Sequence, residues 1–159
     1  MKRVLLLAGQ VILAGIFIYA GYAKLREPWI QFAVSLNSFR LLPAGALEPL
    51  AKFMPWSELA LGIAILSGVM LRWSALVASL LLTLFFAVLI RSYAIGLQVD
   101  CGCFGAGEAD LGPLRLAEEA AMLALAAAVT IGAFRRRSAG REPVPADAAD
   151  RDAGLTHPA

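Results

Sequence analysis

Long apolar blocks alternate with short polar breaks along this chain. Val4 to Ala23 is apolar except for Gln10 and the tyrosines Tyr19 and Tyr22. About 20 helical residues cross a bilayer core, so this block predicts a first spanning helix. Gly21-Tyr22-Ala23 has the small-x-small form of a signal-peptide cleavage site. Signal-peptide cores run only about 7–15 residues, however, and the greater length here predicts a retained helix. Lys24-Leu25-Arg26-Glu27-Pro28 ends it, because proline cannot continue the hydrogen-bond ladder. From Trp29 to Arg40 the apolar positions Trp29, Phe32, Ala33, Leu36 and Phe39 recur at three and four. That spacing predicts an amphipathic helix too short to span, lying in the membrane interface.

Ala44 to Leu71 reads as a second spanning unit, with a kink or restart expected at Pro55. Arg72-Trp73 is the expected polar turn. Ser74 to Ile90 is the third span, its early half carrying the small residues Ser74, Ala75, Ala78 and Ser79 that favour close helix packing. Gln98 to Gly112 is a polar gap with four glycines, three acids and both cysteines. Pro113 suits the first turn of a new helix, and Leu114 to Phe134 is the fourth span. Arg135-Arg136-Arg137 is expected to stop it. Ser138 to Ala159 is rich in Ala, Asp, Arg and Pro, with almost nothing to bury.

The predicted class is therefore all-α: an integral membrane four-helix bundle with an additional amphipathic interfacial helix after the first span. Residues 1–137 form the transmembrane domain, and residues 138–159 a disordered cytoplasmic tail. Composition agrees, since 60% of the 159 residues are hydrophobic and 16% charged, against roughly 25% charged in soluble domains. No run of Lys and Arg interleaved with aromatics points to nucleic acid. The expected surroundings are the lipid bilayer, with Trp29, Phe32, Trp56 and Trp73 as interfacial anchors.

Four spans put both termini on one side. Met1-Lys2-Arg3 precedes the first helix and the triple arginine follows the last, so the positive-inside rule predicts cytoplasmic termini. The gap holding the cysteines then faces outward, into a compartment where disulfides persist.

Asp100-Cys101-Gly102-Cys103-Phe104-Gly105 contains the only two cysteines, one residue apart. Joining them needs Cα atoms roughly 4.4–6.8 Å apart, and Gly102 lets the chain bend between them. So small a ring removes little chain entropy, which makes stabilisation a weak motive. A strained bridge is an oxidising, labile one. Cys101 and Cys103 are thus the candidate redox pair, and bracing of the segment is the alternative. A closed zinc site needs about four ligands, and His157, the only histidine, lies in the tail, so no metal is expected. Lys24, Glu58, Arg91, Arg115, Glu118 and Glu119 lie near the outer boundary, where snorkelling or interfacial solvation is the ordinary role. Glu58 and Glu118 are the acids expected to face the bundle interior, as candidate proton shuttles for thiol exchange. Arg115 can pair with Glu118 or Glu119.

Several segments together resemble the MauE (methylamine utilisation protein E) family of DoxX-like membrane proteins. They are Gly21-Tyr22-Ala23-Lys24-Leu25, Phe39-Arg40-Leu41-Leu42-Pro43, Pro55-Trp56-Ser57-Glu58-Leu59 with Gly62, and Asp100 to Gly105. The resemblance covers residues from about 4 to 134. It implies a four-helix membrane bundle of the bacterial inner membrane, with Cys101 and Cys103 as the functional pair. It also implies a periplasmic thioredoxin-like partner in maturing a disulfide-rich protein, as in methylamine dehydrogenase biogenesis. Quinone is the candidate cofactor only by analogy with disulfide-generating membrane enzymes, which carry a CxxC and further cysteines. The rival reading is a non-catalytic scaffold that docks such a partner.

Overall fold

A computed structural model describes residues 2–97 and 112–139, with side chains over residues 4–97 and 112–135. The described residues form five helices: α1 (Lys2–Arg26), α2 (Trp29–Ser38), α3 (Ala44–Ser67), α4 (Leu71–Ala94) and α5 (Pro113–Ala139). All but α2 are long and apolar enough to cross a membrane. Their exposed faces carry Leu5, Val11, Ile63, Leu80 and Leu84, which lipid can cover. The protein is an all-α, multi-pass membrane bundle.

Helix α1 packs chiefly on α3 and also on α5, α4 packs on α5 and more lightly on α3, and α2 lies against α3. The four long helices therefore close into a ring. Leu13, Ala14, Phe17, Ile65, Ala75, Ala78, Ala126 and Val129 fill its centre. Several contacts are too close for ordinary side chains. A Cβ at Gly21 would lie 2.7 Å from the carbonyl oxygen of Pro55, and one at Gly62 would lie 2.9 Å from the backbone nitrogen of Ile18. These two glycines let α1 and α3 approach backbone to backbone, the packing that small residues permit in membranes.

Polar groups tie the far end of the ring. The Gln10 amide donates to the Ile65 carbonyl at 2.7 Å, satisfying an acceptor in the last turn of α3. Gly68 follows at φ 70°, a left-handed helix stop that glycine adopts at low cost. On α4 and α5, the hydroxyls of Ser79 and Thr130 meet at 2.9 Å.

Three boundaries differ from those expected of the sequence. Helix α3 does not restart at Pro55 but runs as one helix over both Pro49 and Pro55. The turn between α3 and α4 is made by Gly68 and Met70, the latter also left-handed at φ 52°, and Arg72 and Trp73 already lie in α4. Helix α5 continues through Arg135-Arg136-Arg137 to Ala139. Arginine is a good helix former, and cations near a helix C-terminus favour its dipole. The rest of the expected tail, residues 140–159, lies outside the described residues.

In α2, Phe32, Ala33 and Leu36 pack with Ala51, Leu47 and Met54 of α3. Phe39, just past its end, meets Phe85 edge to face at 6.4 Å. Trp29, Trp56 and Trp73 are exposed, as membrane anchors would be, whereas Phe32 is buried.

Candidate functional site

Three ionisable side chains converge inside the bundle. Lys24, in the last turn of α1, extends its ammonium to both carboxylate oxygens of Glu58 on α3, at 2.8 and 2.7 Å. The side chains retain only 4% and 9% of their accessible surface, so this ion pair is withdrawn from solvent. The same ammonium lies 5.4 Å from the centroid of the Phe32 ring, which adds a cation–π contact in dry surroundings. Glu119 on α5 is 2% exposed and within electrostatic reach of both Lys24 and Glu58.

Local sequence explains the meeting. The close approach at Gly21 brings the last turn of α1 against α3 just where Pro55 to Leu59 passes. Lys24 lies nearly one turn beyond Gly21, and Glu58 nearly one turn beyond Pro55. Lysine side chains on a helix lean back toward its N-terminus, so Lys24 reaches inward along α1 rather than out to water. On α5, Glu119 is in phase with Met122, Ala126 and Val129, at steps of three, four and three, and this face turns inward.

A cavity of about 50 Å³ adjoins the three groups. Apolar side chains of all five helices form its remaining wall, among them Phe17, Phe32, Met54, Phe85 and Met122. One water needs roughly 10–15 Å³ by this measure, so a few waters fit, with polar partners on one wall. An engineered dry cavity that holds benzene measures about 150 Å³, three times the size.

The two acids expected to face inward are separated by the fold. Glu58 does so. Glu118 does not: its side chain is 49% exposed and pairs with Arg115 at 3.0 Å, three residues earlier on α5. Its neighbour Glu119 takes the interior position, because one residue turns a helix by about 100° and the inward phase is fixed by Met122 and Ala126. Lys24 departs from the snorkelling expected of it, since an acid waits inside the bundle. Cys101 and Cys103 lie outside the described residues. They belong to the segment that joins the end of α4 to the start of α5. Glu119 stands in the second turn of α5, at that same end. Among the described residues no group of three or more His, Cys, Asp or Glu is arranged to hold a metal ion.

Comparison with known families adds to this geometry. Residues 2–132 match the model of methylamine utilisation protein MauE. The chain belongs to the MauE family. It is similar to the methylamine utilization protein MauE of Methylophilus methylotrophus, at 33% identity over 95 residues, covering 59% of this chain and 50% of that one. It is also 33% identical to MauE of Paracoccus denitrificans over 107 residues, covering 67% of this chain and 57% of that one. The chain thus spans only about half the length of these MauE relatives. No solved structure matches it significantly. Two MauE-like segments noted in the sequence, Gly21 to Leu25 and Pro55 to Leu59, are those that meet in space through Gly21 against Pro55 and Lys24 against Glu58.

Proposed function

We propose that this MauE-family membrane protein exchanges a disulfide through Cys101 and Cys103 with a thioredoxin-like partner outside the cytoplasmic membrane. The exchange would serve the oxidative maturation of a disulfide-rich protein in methylamine utilisation. The observation that carries this reading is the CxC itself. The only two cysteines stand one glycine apart in the sequence that links α4 to α5. Both termini are cytoplasmic in this reading, the membrane is the bacterial inner membrane, and α2 lies along its outer face with Ile30 and Val34 toward lipid.

Exchange begins when one thiolate attacks a sulfur of the partner's disulfide. A mixed disulfide forms and the partner's second sulfur leaves as a thiolate; the remaining cysteine then attacks the mixed disulfide and frees the partner's dithiol. Two electrons pass to the partner, and the CxC pair becomes the disulfide. Run backwards, the same steps reduce the pair and oxidise the partner's dithiol, which is the direction that oxidative maturation draws on.

Removing the resolving thiol should trap the mixed disulfide. Of Cys101→Ser and Cys103→Ser, one is expected to accumulate a reducible adduct with a periplasmic thioredoxin-like protein, and both to lose maturation activity. If neither forms an adduct and both still support maturation at normal membrane levels, the cysteines only brace the segment and the protein is a docking scaffold.

A further inference from the structure

Helix α1 begins and α5 ends at the same end of the bundle. A Cβ on Gly132 would meet Leu6, and one on Gly9 would meet Val129, so each step of three along α1 is matched by a step of three back along α5. One further step sets Arg3 level with Arg135. Lys2 and Arg3 thus share this end with Arg135, Arg136 and Arg137. Trp73 of α4 meets the Phe134 ring edge to face at 6.3 Å, which brings the first turn of α4, with Arg72, to the same place. Among the described residues no acid falls in α1 or α4, in α3 after Glu58, or in α5 after Glu119. The cations therefore gather with no carboxylate of these helices beside them.

Just inside that end, α1 and α5 part. Leu5, Gly9 and Ile12 line one side of a groove and Leu125, Ala128 and Val129 the other, around a volume of about 360 Å³. Leu5 and Ile12 are exposed, so the groove opens on the outer surface of the bundle, where lipid lies. None of its lining side chains carries a polar group. An engineered cavity that takes benzene measures roughly 150 Å³, less than half as much, so a stretch of hydrocarbon chain has room here. A basic end above an apolar groove matches the layout of a phospholipid with an anionic head group, and basic pockets between transmembrane helices hold such head groups. A second copy of this chain packed on the groove would set the same cations side by side, which like-charge repulsion opposes. We propose that the groove between α1 and α5 binds one acyl chain of an anionic phospholipid, whose phosphate sits among the basic residues that begin α1 and end α5. The site rests on which helix ends meet, and is independent of the cysteines and of the side they face.

Native mass spectrometry of the full-length protein, released from detergent micelles with added phosphatidylglycerol or phosphatidylcholine of the same acyl chains, tests the site. Phosphatidylglycerol should be retained about tenfold more tightly or better, because the choline cation is repelled where the arginines attract. The double variant Arg135→Gln/Arg136→Gln should weaken its binding by about tenfold or more, each arginine near a head group contributing roughly fivefold. Ala128→Phe, which fills the groove from an exposed position, should lower retention of both lipids. Ala87→Phe, exposed on α4 and outside the groove, should leave it unchanged. Inorganic phosphate should not displace the lipid. Circular dichroism reports whether each variant keeps its helices, and Ala8→Phe on the opposite wall replaces Ala128→Phe if the latter does not fold. Four results would each overturn the proposal: equal retention of the two lipids, undiminished phosphatidylglycerol binding by a folded groove-filling variant, displacement by inorganic phosphate, or a dimer that the groove-filling variant abolishes.

Discussion

Lys24 and Glu58 stabilise the bundle mostly by being together. Bringing two charges out of water is costly, and their mutual attraction does little more than offset that cost when geometry is good. Removing one partner is different, since it strands the other charge in the interior at a cost of about 3–5 kcal/mol. Lys24→Met and Glu58→Met should each lower the unfolding midpoint in detergent micelles strongly. The double variant Lys24→Met/Glu58→Met should recover most of the loss, because two apolar chains of similar volume replace a satisfied pair. Additive losses would mean the pair is uncoupled. By contrast, Lys52 and Glu48 make an equally short contact of 2.7 Å with both side chains more than half exposed, and solvent screening leaves such a pair worth little. Equal distances thus carry unequal energies.

At the scale of elements, the contact between α1 and α3 sets where the charged groups fall. A Cβ at Gly21 would press on the backbone of α3, which cannot swing aside as a side chain can. Gly21→Ala is therefore expected to force the helices apart, with an overpacking cost of about 1–3 kcal/mol. Gly45 is the control, because a Cβ there meets nothing within 4 Å. Gly45→Ala should be neutral or stabilise by roughly 0.5–1 kcal/mol, as alanine replaces glycine in a helix. Thermal unfolding of the two variants side by side checks both. Equal melting points would show that α1 and α3 do not need this close approach. Pro55 fits the same picture: it removes one backbone donor from α3, and its own carbonyl lies where Gly21 admits the neighbouring helix.

For the whole molecule, orientation in the membrane decides what the cysteines can meet. The basic N-terminus and the arginines at the end of α5 favour cytoplasmic termini. A membrane-impermeant thiol reagent applied to intact, mildly reduced cells should then label Cys101 or Cys103. Labelling that appears only after lysis would place the segment in the cytoplasm, where glutathione keeps thiols reduced, and disulfide exchange with an outer partner would be lost. The same orientation puts Lys24 and Glu119 in the outer half of the bundle, since α1 ends and α5 begins there.

Apolar block lengths were enough to read four spanning helices, because crossing hydrocarbon fixes a minimum length whatever the neighbours are, and apolar spacing of three and four gave the short helix after the first. The one-residue spacing of Cys101 and Cys103 is plain in the sequence, and what the two thiols do is left to the trapping experiment. Helix ends were less so: nothing local distinguished Gly68 and Met70 from Arg72-Trp73 as the turn, and arginines that looked like a stop are good helix residues. The interior site needed the tertiary structure. In α5 alanines and leucines fall on every face of the helix, so hydrophobic phase could not tell Glu118 from Glu119, and Arg115 could reach either. Only the packing of α5 on α1 and α4 turned Glu119 inward and left Glu118 to the arginine. Lys24 likewise looks like a snorkelling lysine until α3 brings Glu58 to it, because a charge chooses the interior only when a partner 34 residues away is already there.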